Sequence, residues 1–162
     1  MEHTPEFEKQ QRDLVMLRSH VERCLQDIWN TRDVAVDEDG DYPFSFGTAA
    51  CWVRVLTGPV PGVRVFATAV VDVKSSARLL AEVNDLNSRS AWVKVGLVAG
   101  AIQVWTDLHW GGVDRLPLDQ AMHAVGSAAD DNGALLASMF GGRTPYGPHR
   151  TELDNDPTEE AA

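Results

Sequence analysis

A chain of 162 residues with 44% hydrophobic content and five tryptophans can bury one sizeable core and is too apolar to stay disordered. Its net charge of −10 goes against nucleic-acid binding, which needs a basic stripe with interleaved aromatics. No run approaches the roughly 18 uncharged apolar residues of a spanning helix, so no membrane partner is expected.

The charge is local. Asp37, Glu38, Asp39 and Asp41 in one loop, with Glu152, Asp154, Asp156, Glu159 and Glu160 near the end, leave the rest of the chain at −1. Met1-Glu-His-Thr-Pro-Glu6 carries neither the basic nor the apolar region of a signal peptide, so a cytoplasmic location is expected.

From Glu6 to Asn30, Phe7, Leu14, Leu17, Val21, Cys24, Leu25 and Ile28 recur at three- and four-residue steps, one stripe of a long amphipathic helix. Thr4 can cap it and Pro5 suits its first position. Lys9, Arg12, Arg18, Glu22 and Arg23 form the expected wet face. Asp37, Asp39 and Asp41 alternate like a calcium loop. The places that need Gly and a bidentate Glu hold Tyr42 and Thr48, however, and a solvated acidic turn is the better reading.

Three strands follow. Tyr42–Phe46 contains Pro43 and reads as an edge strand. Ala50–Leu56 and Val63–Val73 alternate small aliphatic residues with aromatics and arginines, around the turn Gly58-Pro-Val-Pro-Gly62. Ser75 or Ser76 starts a second helix that should bury Leu79, Leu80, Val83 and Leu86.

A hairpin comes next, with strands Ala91–Val98 and Ala101–Leu108 about the loop Ala99-Gly100. The implied pairs are Leu97/Ile102, Val95/Val104 and Val93/Thr106 on one face. Gly96/Gln103, Lys94/Trp105 and Trp92/Asp107 lie on the other. Val65, Ala67, Val95, Leu97, Ile102 and Val104 should therefore be more buried than Arg64, Lys94 and Gln103. A third helix runs from Leu116-Pro117 to Phe140, with Gly126 and Gly133 marking close packing or a kink. Residues 1–142 read as one domain, and 143–162 as a disordered acidic tail holding three prolines.

Catalytic and metal chemistry find little support. Cys24 and Cys51 read as small packed hydrophobes rather than a disulfide. His3 and His149 lie near the termini, and His20 and His123 on separate helices. Asp107-Leu108-His109 places a carboxylate and an imidazole on one strand face, a conceivable base and orienter. No nucleophile elbow accompanies them, nor any phosphate loop, dinucleotide fingerprint or paired-cysteine motif. A small enzyme or small-molecule sensor with a pocket near Asp107 and His109 is thus the alternative reading. No cofactor and no metal are expected.

The stronger signal is a surface. Alternation collects Trp52, Arg54, Arg64, Phe66, Trp92, Lys94 and Trp105, with Leu56 and Gln103, on one side of the sheet. The helices have apolar stripe enough for the other side only. Exposed aromatics beside guanidinium groups mark protein-interaction sites. These seven residues are the expected partner-binding set.

The order of elements, the helix ending Asn84-Asp-Leu-Asn87, the hairpin Trp92–Leu108 and the closing helix with Ala124–Met139 resemble the type III secretion chaperone and YbjN-type fold. The resemblance spans about residues 6 to 142, with actinobacterial relatives suggested by the Trp- and Val-rich hairpin. It implies an α+β domain ordered α-β-β-β-α-β-β-α, an antiparallel sheet with helices packed on one face. It also implies a non-enzymatic bacterial protein- or peptide-binding module, a chaperone or adaptor, acting as a homo- or heterodimer. Ala99 departs from the Asp or Asn often found before the hairpin glycine.

Overall fold

Residues 5–147 are described by a computed structural model. Their elements are α1 (Pro5–Trp29), β1 (Tyr42–Phe46), β2 (Ala49–Leu56), β3 (Gly62–Val70), α2 (Ala77–Arg89), β4 (Lys94–Val98), β5 (Ala101–His109), a 3-10 turn (Trp110–Gly112) and α3 (Arg115–Phe140). The Thr4 cap, His3, His149 and most of the acidic tail lie outside the described residues.

Period-two alternation becomes one antiparallel sheet in the order β1-β2-β3-β5-β4. The hairpin register is the expected one: Lys94↔Trp105, Val95↔Val104, Gly96↔Gln103 and Leu97↔Ile102. Ala99 and Gly100 have φ of 48° and 78°, the left-handed pair of a primed two-residue turn. Val65, Ala67, Val95, Ile102 and Val104 are buried, while Lys94 is exposed. Leu97, beside the turn on an edge strand, is only half-buried. Strand β4 begins at Lys94, so Val93/Thr106 and Trp92/Asp107 do not pair as expected.

The helices cover the aliphatic face. Helix α3 crosses β1, β2, β3 and β5, and α1 packs against α3 and β2. Gly126 and Gly133 serve close approach. A Cβ on Gly126 would lie 2.5 Å from the Phe46 ring, and one on Gly133 3.1 Å from the Ala69 carbonyl. Ser76 caps α2, accepting from the Leu79 N–H at 3.1 Å. Asn87 then closes the outer edge of β4, donating from Nδ2 to the Val95 carbonyl and accepting from the Val95 N–H, both at 2.8 Å. One side-chain amide thereby stands in for a neighbouring strand.

Three expectations about the helices need correction. Leu80 is 50% exposed, because α2 packs on a single edge strand and its buried stripe is limited to Leu79 and Val83. Phe7 is 44% exposed, since α1 meets the core only from Leu14 onward. Arg18 and Glu22 are not simply solvated: Arg18 donates to the Gly40 carbonyl at 2.9 Å, and the buried Tyr42 hydroxyl donates to Glu22 at 2.7 Å. Burial, more than the Glu22 contact, pushes the Tyr42 phenol well above its usual pKa.

The tail expectation also changes at its start. Val71 and Arg143 exchange backbone hydrogen bonds of 2.9 and 3.1 Å, Tyr146 N–H donates to the Thr48 carbonyl, and Arg143 pairs with Asp72. Residues 143–147 are thus a strap over the β1–β2 turn and the end of β3. A chain ended after Gly147 should melt within about 2 °C of the full chain. One ended after Gly142 should lose roughly 2 kcal/mol, or about 6 °C, measured by thermal unfolding. At the hairpin, Ala99 carries a left-handed φ that asparagine tolerates better. Ala99→Asn should therefore stabilise by about 0.5–1 kcal/mol in denaturant titration.

Candidate functional site

Two cross-strand rows define the face that the helices leave open. The first is Trp52↔Phe66↔Trp105↔Lys94, drawn from β2, β3, β5 and β4. Trp52 and Phe66 stack, with ring centroids 5.2 Å apart and planes 17° apart. All three aromatic rings are half-buried. Trp105 leans over Gly96, where a Cβ would sit 2.8 Å from the indole. Gly96 is therefore what lets the row end flat against the hairpin.

The second row is Arg54↔Arg64↔Asp107, extended by Asp41 just before β1. Arg54 holds Asp41 through Nε at 2.9 Å and through a second contact from Nη2, while Asp41 is almost wholly buried. Arg64 grips Asp107 with two parallel bonds of 2.7 and 2.9 Å. The row reads minus, plus, plus, minus. Each guanidinium also lies on a ring, Arg54 4.9 Å from the Phe66 centroid and Arg64 5.9 Å from that of Trp105. The Arg64 hydrogen bonds hold the Asp107 carboxyl below its usual range.

Six of the seven expected residues thus share one surface. Trp92 does not. It precedes β4, where Val93 N–H donates to the Ser90 hydroxyl, and the chain turns toward the helices. Trp92 is 81% exposed and borders an open groove of about 500 Å³ lined by Thr106, Leu108, Pro117, Gln120 and Ala121. Sequence reasoning missed this separation because it extended β4 by three residues. It also missed that both arginines already have carboxylate partners.

Asp107 and His109 of the alternative reading lie on one face of β5. Both oxygens of Asp107 are taken by Arg64, and the groove beside β5 is lined by Thr106 and Leu108, the opposite parity from Asp107 and His109. The acidic loop is not simply solvated. Asp37 Oδ1 accepts from the Asp39 and Asp41 N–H groups, and the Asp41 side chain is covered by Arg54 on the open face. Cys24 and Cys51 are free, buried thiols, as expected, and burial pushes the Cys51 thiol up to about 12. No described helix is long and apolar enough to cross a membrane.

The domain is thus an antiparallel sheet with helices on one face and an aromatic and arginine row on the other. The family model described as T3SS (YopN, CesT) and YbjN peptide-binding chaperone 1 (TY-Chap1) matches residues 15–148, and the chain belongs to that family. Two solved structures share the fold. The ExsC–ExsE complex has a TM-score of 0.57 and 17% identity, covering 74% of this chain and 96% of that one. The Yersinia pestis type III secretion chaperone SycH, in complex with a stable fragment of YscM2, has a TM-score of 0.53 and 11% identity, covering 70% and 96%. No curated protein matches. The α+β order that the resemblance implied is the observed one.

The Asp107 shift has a consequence for pH. A depressed folded pKa gives stability that is present above the unfolded value near 3.8 and lost as pH falls through the lower folded value. Wild type should lose this part of its stability below about pH 4. Asp107→Asn should flatten that limb of a melting-temperature profile against pH.

Proposed function

We propose that this chain is a peptide-binding chaperone or adaptor that holds a segment of a protein partner on the open sheet face. The observation that carries this reading is the Trp52–Phe66–Trp105 row, three large rings aligned across three strands on the side without helices. Family membership supplies the class, a peptide-binding chaperone. The rings take apolar side chains of the partner. Arg54, Arg64 and Lys94 sit beside them to donate to carbonyl or acidic groups, once the partner displaces Asp107 from Arg64 or joins Asp41 at Arg54.

Trp92 belongs to the proposal as a separate anchor. Its groove faces the α3 side of β5, so a bound segment reaching it passes around the start of β4. Use of the open face by a second, identical or related chain, giving a homo- or heterodimer, is the competing use of the same surface. A cytoplasmic location and the lack of an enzymatic reaction are part of this reading.

The test is a partner recovered from the native host and titrated against purified variants. Trp105→Ala and Phe66→Ala should each weaken binding by about 2 kcal/mol, near thirtyfold, with the far-UV spectrum unchanged. Light scattering on the same variants separates client binding from self-association. Unchanged affinity in both variants would remove the partner from this face and leave the family assignment standing.

A further inference from the structure

We propose that His20, Cys24 and Asp114 form a binding site for a zinc-like divalent metal ion that staples α1 to the start of α3. His20 and Cys24 are one helical turn apart on α1, so both side chains project from one face. Asp114 comes from the residue before α3, brought alongside by the fold. One donor atom from each of the three lies within 4.8 Å of the others.

The donor chemistry fits. Imidazole nitrogen, thiolate sulfur and carboxylate oxygen together suit a borderline-soft ion better than magnesium or calcium, which take oxygen alone. The spacing fits as well. Cys24 Sγ stands 3.8 Å from His20 Nε2, and a tetrahedral zinc with ordinary bonds would hold sulfur and nitrogen about 3.5 Å apart. His20 Nε2 also lies 2.8 Å from the Val113 carbonyl, so binding an ion at this nitrogen requires the ring to give up that contact and carry its proton on Nδ1. Asp114 spends Oδ1 on the Arg115 N–H at 2.7 Å, leaving its second oxygen to the metal.

Asp27 and Asp114 place two negative charges near Cys24 against one positive charge from Arg23, a field that favours a cation. Burial and these carboxylates raise the thiol, so the ion must displace its proton on binding. An open groove of about 500 Å³ reaches His20 beside Trp110 and Val113, an entry path for the ion. Cys24 itself is 4% exposed, so the sulfur closes the inner end of the site. The proposal is independent of the sheet face.

The test uses the full chain. Zinc alone should bind one ion per chain and raise the melting temperature. Cobalt(II) in its place should give a thiolate-to-metal charge-transfer band in the near ultraviolet. Cys24→Ser should abolish the band. Asp114→Asn keeps the helix cap, because asparagine caps as well as aspartate. It should leave the metal-free melting temperature unchanged while weakening binding by at least about tenfold. Either a missing band in the wild type or equal zinc affinity in wild type and Asp114→Asn overturns the site. Binding that survives at that strength belongs to other histidines.

Discussion

A one-residue slip along β3 would carry Val63, Val65 and Ala67 into water and drive Arg64 and Phe66 into the core. That constraint fixes the molecule, because β3 lies between β2 and β5 and pairs with both over most of its length. Each buried valine of the inner face contributes about 1.5–3 kcal/mol by leaving water. An arginine moved inward without its partner would add several kcal/mol of penalty. The register that buries the aliphatic row is the one that lines up Trp52, Phe66 and Trp105 on the other side. Packing and binding surface are consequences of one choice.

The open face is arranged so that large apolar rings can remain partly wet. Each arginine spans an aromatic ring and a carboxylate, so its charge is used twice. Such exposed contacts are individually weak, roughly 0–1 kcal/mol for an ion pair and 0.5–1 kcal/mol for a cation on a ring. A partner can therefore open them at little cost and reuse the same guanidinium groups. Buried Asp41 is the exception. Asp41 is almost wholly buried and Arg54 is its charge partner, so Arg54 is tied to the fold more firmly than Arg64, whose Asp107 is about one-third exposed.

The sequence made the sheet legible wherever a local rule decided the outcome. Alternation gave β2, the hairpin register and β3 as far as Ala67. The expected run to Val73 fails because the register shifts between Thr68 and Val70, which are both buried, and the strand ends at Val70. Long-range partners were not legible. Asp41 with Arg54 and Asp107 with Arg64 are 13 and 43 residues apart, and no periodicity announces such pairs. Trp92 was misplaced because nothing in its alternation marks where hydrogen bonding stops. The bonding of Arg143 to Val71 was equally invisible, since a polar, proline-containing segment can pair through its backbone without burying a side chain. His20 reads from sequence as a single helical histidine and Cys24 as a packed hydrophobe, and Asp114, ninety residues beyond Cys24, joins them only in the fold.

Stability and recognition are separable here because they occupy opposite faces of one sheet. The inner face meets α1 and α3 through fully buried residues such as Leu17, Val65, Leu118 and Val125. Truncating a large one opens a cavity costing about 2–5 kcal/mol, a large share of a small domain's stability. The outer rings are half-buried and touch mainly each other and two guanidinium groups. Losing one removes an aromatic pair worth about 0.5–1.5 kcal/mol plus part of its area. The outer row can thus change to suit a partner while the inner row holds the register. The limit on that freedom is Gly96: any side chain there would lift Trp105 off the hairpin and break the flat surface from within.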